Sequence, residues 1–61
     1  MEKEALKLMK FGFVRIQSNT LSVICNGYSE EEILSELPNN YKIVNSYTLM
    51  NSNTQFNLKQ I

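Results

Sequence analysis

The side chains that most often carry out chemistry in proteins are scarce in this chain. Its 61 residues include one cysteine, Cys25, and six glutamates, but no histidine and no aspartate. A catalytic acid–base pair or a zinc site needs several such groups at suitable spacing. The sequence therefore predicts a protein that is not an enzyme and needs no metal or other cofactor.

Cys25 lies at the end of an apolar run, on the same strand face as Leu21 and Val23. A thiol in this setting is typical of a small buried side chain, because a reactive thiol needs basic neighbours that the run does not supply. A lone cysteine and the lack of an apolar leader predict a cytoplasmic location. No apolar run approaches the roughly 18 residues of a membrane span, so we expect no membrane partner.

The stretch Lys10-Phe11-Gly12-Phe13-Val14-Arg15-Ile16 resembles the RNP1 element of RNA-recognition motifs, with one glycine missing and the last aromatic residue replaced. The resemblance is limited to this stretch, and it implies bases stacked on strand aromatics. The candidate nucleic-acid contacts are Lys7, Lys10, Phe11 and Arg15. An ordinary half-buried strand is the alternative. The net charge of zero gives no overall field that would attract nucleic acid.

A second set of candidates would suit a protein partner. Glu30 and Glu31 begin an acidic stretch, which is either a solvated helix face or a surface that steers a basic partner. Tyrosine is enriched at interfaces because its ring buries area while its hydroxyl stays hydrated. The candidate protein contacts are Tyr28, Glu30, Glu31, Tyr41 and Tyr47.

The elements that must position these residues begin with a helix whose two ends are encoded in the sequence. Ser29 followed by Glu32 forms a capping box, and acidic residues in the first turn complement the helix dipole. Pro38 cannot continue the hydrogen-bond ladder, so we expect the helix to end at Leu37. Its apolar stripe should pack into the core.

The remaining segments predict an α-β-β-α-β-β order. Residues 2–10 favour a helix, with Ala5, Leu6 and Met9 on one stripe and Leu8 at its edge. Four segments alternate with period two, at 13–17, 20–25, 41–50 and 54–61. In the third, Tyr41, Ile43 and Tyr47 share a face by this alternation. We expect a single α+β domain over residues 1–61, with a four-stranded, mainly antiparallel sheet and both helices on one face.

A chain of this size has a marginal core, and without disulfides or metals such domains often associate. We therefore expect a homo-oligomer, most simply a dimer. The eight asparagines are typical of AT-rich genomes. Together these features predict a module that binds a larger protein, such as a phage or mobile-element inhibitor of a host enzyme or defence factor. The alternatives are a nucleic-acid-binding regulator that uses the N-terminal region and the Phe11–Phe13 strand, and a structural subunit.

Overall fold

The computed structural model describes all 61 residues as one four-stranded antiparallel sheet with two short helices. This confirms the predicted sheet and the two helical segments. The elements are α1 (Glu2–Leu8), β1 (Gly12–Gln17), β2 (Thr20–Cys25), α2 (Glu30–Leu34), β3 (Tyr41–Thr48), a short 3₁₀ turn (Met50–Ser52) and β4 (Thr54–Gln60). Neither helix is long and apolar enough to cross a bilayer.

The strands lie in the order β1-β2-β4-β3, so the two hairpins join into one sheet within the chain through β2 and β4. The first hairpin closes on Gln17 and Thr20 with a two-residue loop in which Ser18 has a positive φ of 54°. Because β2 and β4 occupy the centre, β1 and β3 are the two edge strands. Each edge leaves a row of backbone amides and carbonyls without a strand partner.

The core is formed on the face of the sheet predicted from the alternation in β2 and β4. Leu21 lies opposite Leu58 and Val23 opposite Phe56, and all four side chains are buried. The buried cluster is completed by Leu8, Cys25, Ile33, Leu37 and Tyr41. Burial of each large aliphatic or aromatic side chain contributes about 1.5–3 kcal/mol relative to leaving it exposed.

A bulge in β3 corrects the predicted face of one tyrosine. Ile43 pairs with Leu58 but Asn45 pairs with Asn57, so Val44 is an extra residue without a partner in β4. The extra residue reverses the alternation beyond it. Tyr47 therefore lies opposite Gln55 and is 52% exposed, on the face away from buried Tyr41. The assignment of Tyr41, Ile43 and Tyr47 to one face was wrong for this reason.

Helix α1 docks through Leu8, at the edge of the predicted stripe, rather than through Leu6 and Met9. Leu8 is fully buried, whereas Leu6 is 69% and Met9 60% exposed. The helix also ends at Leu8 rather than residue 10, and the Phe11 amide donates to the Leu8 carbonyl at 2.9 Å. At Gly12 a Cβ would fall on the carbonyl oxygen of Ile24, so only glycine allows the chain to enter β1 this close to β2.

Helix α2 begins as predicted and ends earlier. The Glu32 amide donates to Ser29 Oγ at 3.2 Å, which is the expected N-cap bond. The regular helix ends at Leu34, and turns with i to i+3 bonds carry the chain on to Leu37. Leu37 is nevertheless buried, so the apolar stripe packs as the sequence indicates.

Candidate interaction surfaces

The groups that could do chemistry do not converge on one another. No three His, Cys, Asp or Glu side chains lie close enough together to hold a metal ion. Cys25 is only 4% exposed. Burial raises the pKa of its thiol, and the charge of Glu32 raises it further. Since the thiolate is the reactive form, the structure favours an inert, buried cysteine.

Two of the candidate nucleic-acid residues, Lys10 and Phe11, make contacts within the chain. Lys10 forms an ion pair with Glu36 at 2.9 Å, and its ammonium lies 5.6 Å from the centre of the Phe11 ring. Phe11 in turn packs edge-to-face on Tyr28, with 4.6 Å between ring centres. Lys7 is exposed on α1, and Arg15 is exposed on β1. Lys10 and Phe11 therefore already have partners within the chain. Arg15 lies further along, in β1.

The candidate protein contacts are divided between the surface and the core. Tyr41 is buried, and its hydroxyl donates to a carboxylate oxygen of Glu4 at 3.1 Å. Burial and this hydrogen bond both raise the pKa of the Tyr41 phenol. Tyr28, Glu30 and Glu31 are exposed at the start of α2. Tyr47 is exposed on the opposite side of the sheet from Tyr41.

An apolar groove lies along the free edge of β1, and we call it the β1 groove. It encloses about 430 Å³ between α1 and the strand. Its lining comprises Glu2, Ala5, Leu6, Met9, Gly12, Phe13, Val14 and Ile16. Among these, Phe13 is 63% and Ile16 41% exposed, in addition to Leu6 and Met9. Large apolar side chains gathered at an open strand edge mark an interaction site.

The helix residues of the β1 groove are the stripe that the sequence pattern identifies. Glu2, Ala5, Leu6 and Met9 recur at the i, i+3, i+4 and i+7 positions of one helix face. Leu8 is fully buried and Ala5 packs against the core, whereas Leu6 and Met9 are exposed. The i, i+3, i+4, i+7 spacing in the sequence is enough to identify this helix face. That the face lies along the edge of β1 is decided by the tertiary structure.

The sheet face away from the core, which we call the open face, carries a network of polar side chains. Ser22 Oγ donates to Asn57 Oδ1 at 2.7 Å, and Gln55 Nε2 donates to the same oxygen at 2.9 Å. Asn57 Nδ2 donates to Asn45 Oδ1 at 2.7 Å. This network spans three strands, from β2 through β4 to β3. The sequence analysis did not single out these residues, although they alternate with core positions in their strands.

Comparison with known proteins gives no relative from which a role could be transferred. No family model, curated protein or solved structure matches this chain.

Proposed function

We propose that the protein is a non-enzymatic interaction module that binds polypeptide along the free edge of β1, in the first instance β1 of a second copy. The observation that carries the proposal is the β1 groove, in which exposed apolar side chains flank a strand edge that has no partner. An added strand would satisfy the backbone groups of the edge and cover the apolar lining in one step. Because only nine of the 61 residues are buried, burial of the groove residues under an added strand would stabilise the fold.

The alternation of β1 favours a symmetric antiparallel pair. The two-residue loop closes on Gln17 and Thr20 as a hydrogen-bonded pair. Since alternate residues of an antiparallel strand direct their backbone groups to the same side, those of Gly12, Val14 and Ile16 point away from β2. These are the residues that a second β1 would bond.

The side chains select the register of this pair. With the two-fold axis at Val14, Ile16 of one copy lies opposite Gly12 of the other, where no side chain competes for the space. On the open face, Phe13 then lies opposite Arg15, a pairing that a cation–π contact stabilises. An axis at Arg15 would instead place two like charges opposite each other, which is destabilising.

The finer arrangement of the domain supports the same use of the edge. We infer that both helices cover one face, because Leu8 from α1 and Ile33 from α2 belong to one buried cluster with Val23. Helix α2, which packs against β3, then presents Tyr28, Glu30 and Glu31 to a further, basic protein partner. That this partner is a host enzyme or defence factor stays a prediction from the sequence.

Light scattering behind size exclusion tests the proposal with a pair of matched variants. Ile16 on β1 is 41% exposed and Val44 on β3 is 46% exposed, so Ile16→Lys and Val44→Lys add the same charge to opposite edges. The unchanged chain should approach twice 7.1 kDa as its concentration rises. Ile16→Lys should weaken this association by about 2 kcal/mol or more, roughly 30-fold, because it places a charge in an apolar contact of the interface.

The control defines what would contradict the proposal. Val44→Lys should associate as the unchanged chain does, and circular dichroism should show that both variants keep their secondary structure. A single-chain mass for the unchanged protein at all concentrations would reject the dimer. Equal weakening by both substitutions would show that association does not depend on the β1 edge.

A further inference from the structure

The net charge of zero conceals a separation of charge between the two sides of the molecule. All six glutamates lie in α1, in α2 or directly after α2, and none lies in a strand. The strands carry three charged residues, Arg15, Lys42 and Lys59, and all three are basic. The sheet is therefore cationic while the helical part of the chain is acidic on balance.

The strand register places these three cations on the open face. Arg15 lies opposite Ser22, which lies opposite Asn57, and these two residues belong to the polar network of that face. Lys59 follows Asn57 by two positions, so it shares the same face, and Lys42 lies directly opposite it. All three are exposed, and neither ion pair of the structure involves them. They are free to meet an anionic ligand.

Two aromatic rings stand at the margins of the same face. Phe13, Ile24, Gln55 and Tyr47 form one row across the four strands. Phe13 is 63% and Tyr47 52% exposed. With about 4.8 Å between neighbouring strands, the two rings are roughly 14 Å apart. An extended single strand of a few nucleotides covers this distance.

The polar side chains between these cations and aromatic rings already form hydrogen bonds with one another. Asn57 Oδ1 accepts two hydrogen bonds, and its amide group donates to Asn45. Side chains that bond one another have little capacity left to distinguish base edges. Recognition by this face would therefore come from stacking and charge, which tolerate any base sequence.

From this arrangement we propose that the open face binds single-stranded nucleic acid without strong sequence preference. Bases stack on Phe13 and Tyr47, and phosphates contact Arg15, Lys42 and Lys59. In a duplex the base faces are stacked on one another and are not available to the two aromatic rings. An acidic protein could meet the cations but has no bases to stack on the rings. Arg15 also belongs to the N-terminal set indicated by the sequence, whereas Phe13, Tyr47, Lys42 and Lys59 do not. Phe13 and Arg15 lie on β1 and face each other in the proposed dimer, so the part of this site that is independent of the β1 edge is Tyr47, Lys42 and Lys59.

Fluorescence anisotropy with a labelled, mixed-sequence DNA single strand tests the proposal on the full chain. We expect a dissociation constant in the range of about 10⁻⁴–10⁻⁶ M near physiological salt, as is usual for non-specific binding. Contact with three cations on one chain predicts a slope of about −2 in log affinity against log salt. Tyr47→Ala should weaken binding several-fold through lost stacking. Tyr47 lies on β3, so this variant leaves the β1 edge intact.

A charge-matched pair of variants assigns the binding to the face. Lys42→Gln/Lys59→Gln and Lys3→Gln/Lys7→Gln each remove two exposed positive charges, from the open face and from α1 respectively. The first should weaken binding at least tenfold, and the second by no more than about twofold. Equal losses in the two folded variants would overturn the proposal, since binding would then follow overall charge.

Two further results would also overturn it. The first is the absence of binding at low salt by a chain that circular dichroism shows to be folded. The second is affinity for duplex DNA as high as for the single strand, because stacking would then play no part. Light scattering on the same samples reports dimerisation independently, so failure of this proposal is distinguishable from failure of the β1-edge proposal.

Discussion

The two edge strands of the sheet, β1 and β3, differ in regularity and in the side chains around their free edges. β1 pairs with β2 along its whole length without a register shift, and α1 lines its outer side with exposed apolar side chains. β3 carries a bulge at Val44, with Lys42 two residues before it. Bulges and lysines are features that natural sheets use to prevent pairing at an edge. The proposed function therefore assigns association to the β1 edge and protection from association to the β3 edge.

The difference also shows how a small chain can limit its own assembly. A chain in which one edge strand pairs with another copy forms a closed two-fold dimer. If both edge strands could pair, the chains would form open-ended assemblies. The extra residue, Val44, lies in β3, the edge to which we assign no association. We therefore expect the bulge to matter more for the size of the assembly than for the stability of the fold.

Deletion of Val44 should have the largest effect, because it removes the extra residue and makes β3 a regular edge. With two regular edges, the chain should pass from a dimer to larger, polydisperse species, measured by light scattering over a concentration series. The deletion combined with Ile16→Lys should return the assembly to a small, defined size. Growth that persists in the combined variant would mean that β3 alone drives it.

Truncation of a buried side chain next to α2 should lower the free energy of unfolding and leave the β1 edge unchanged. Leu37 is buried and follows α2, so Leu37→Ala should lower the free energy of unfolding by roughly 2–5 kcal/mol. Ser29→Ala removes only the N-cap bond and should cost about 1 kcal/mol. Thermal melts at fixed concentration give the ranking. The reverse ranking would contradict the packing of this segment.

The smallest effect concerns the phenol at the start of β3. Because the pKa of Tyr41 is raised in the folded chain above its ordinary value of 10.0, the native state holds this proton more tightly than the unfolded state. The contribution of the protonated Tyr41 phenol to the free energy of unfolding is therefore fully present below pH 10.0, and it is lost as the pH rises through the pKa of the folded state. Tyr41→Phe should flatten the alkaline decline in urea unfolding. An unchanged alkaline profile would show that Tyr41 does not cause it.

The features that the sequence predicts correctly are those decided by neighbouring residues. The Ser29 cap depends on residues within one turn, and the alternation of β2 and β4 places Val23 and Phe56 in the core without further information. The errors concern choices made by tertiary packing. Whether Leu8 or the Leu6 stripe docks, and whether β3 takes up an extra residue at Val44, depends on how distant strands fit together. The β1 groove follows from the first of these choices.

The protein-contact candidates show the same division. Tyr28 and Glu30 lie at a helix start that the sequence defines, and they are exposed as expected of contacts. Tyr41 and Tyr47 belong to one strand, and only their relation to the bulge decides that one is buried and the other exposed. The open-face network could not be anticipated either, because Ser22 and Asn57 meet only through the β2–β4 pairing.

Amide hydrogen exchange, measured residue by residue by NMR over a concentration series, tests the central claim most directly. If β1 pairs with β1 of a second copy, the amides of Val14 and Ile16 should become protected as the dimer forms. The outward amides of β3 should remain fast at every concentration. If Val14 and Ile16 exchange as freely exposed amides where light scattering shows a dimer, the β1 edge is not the binding surface.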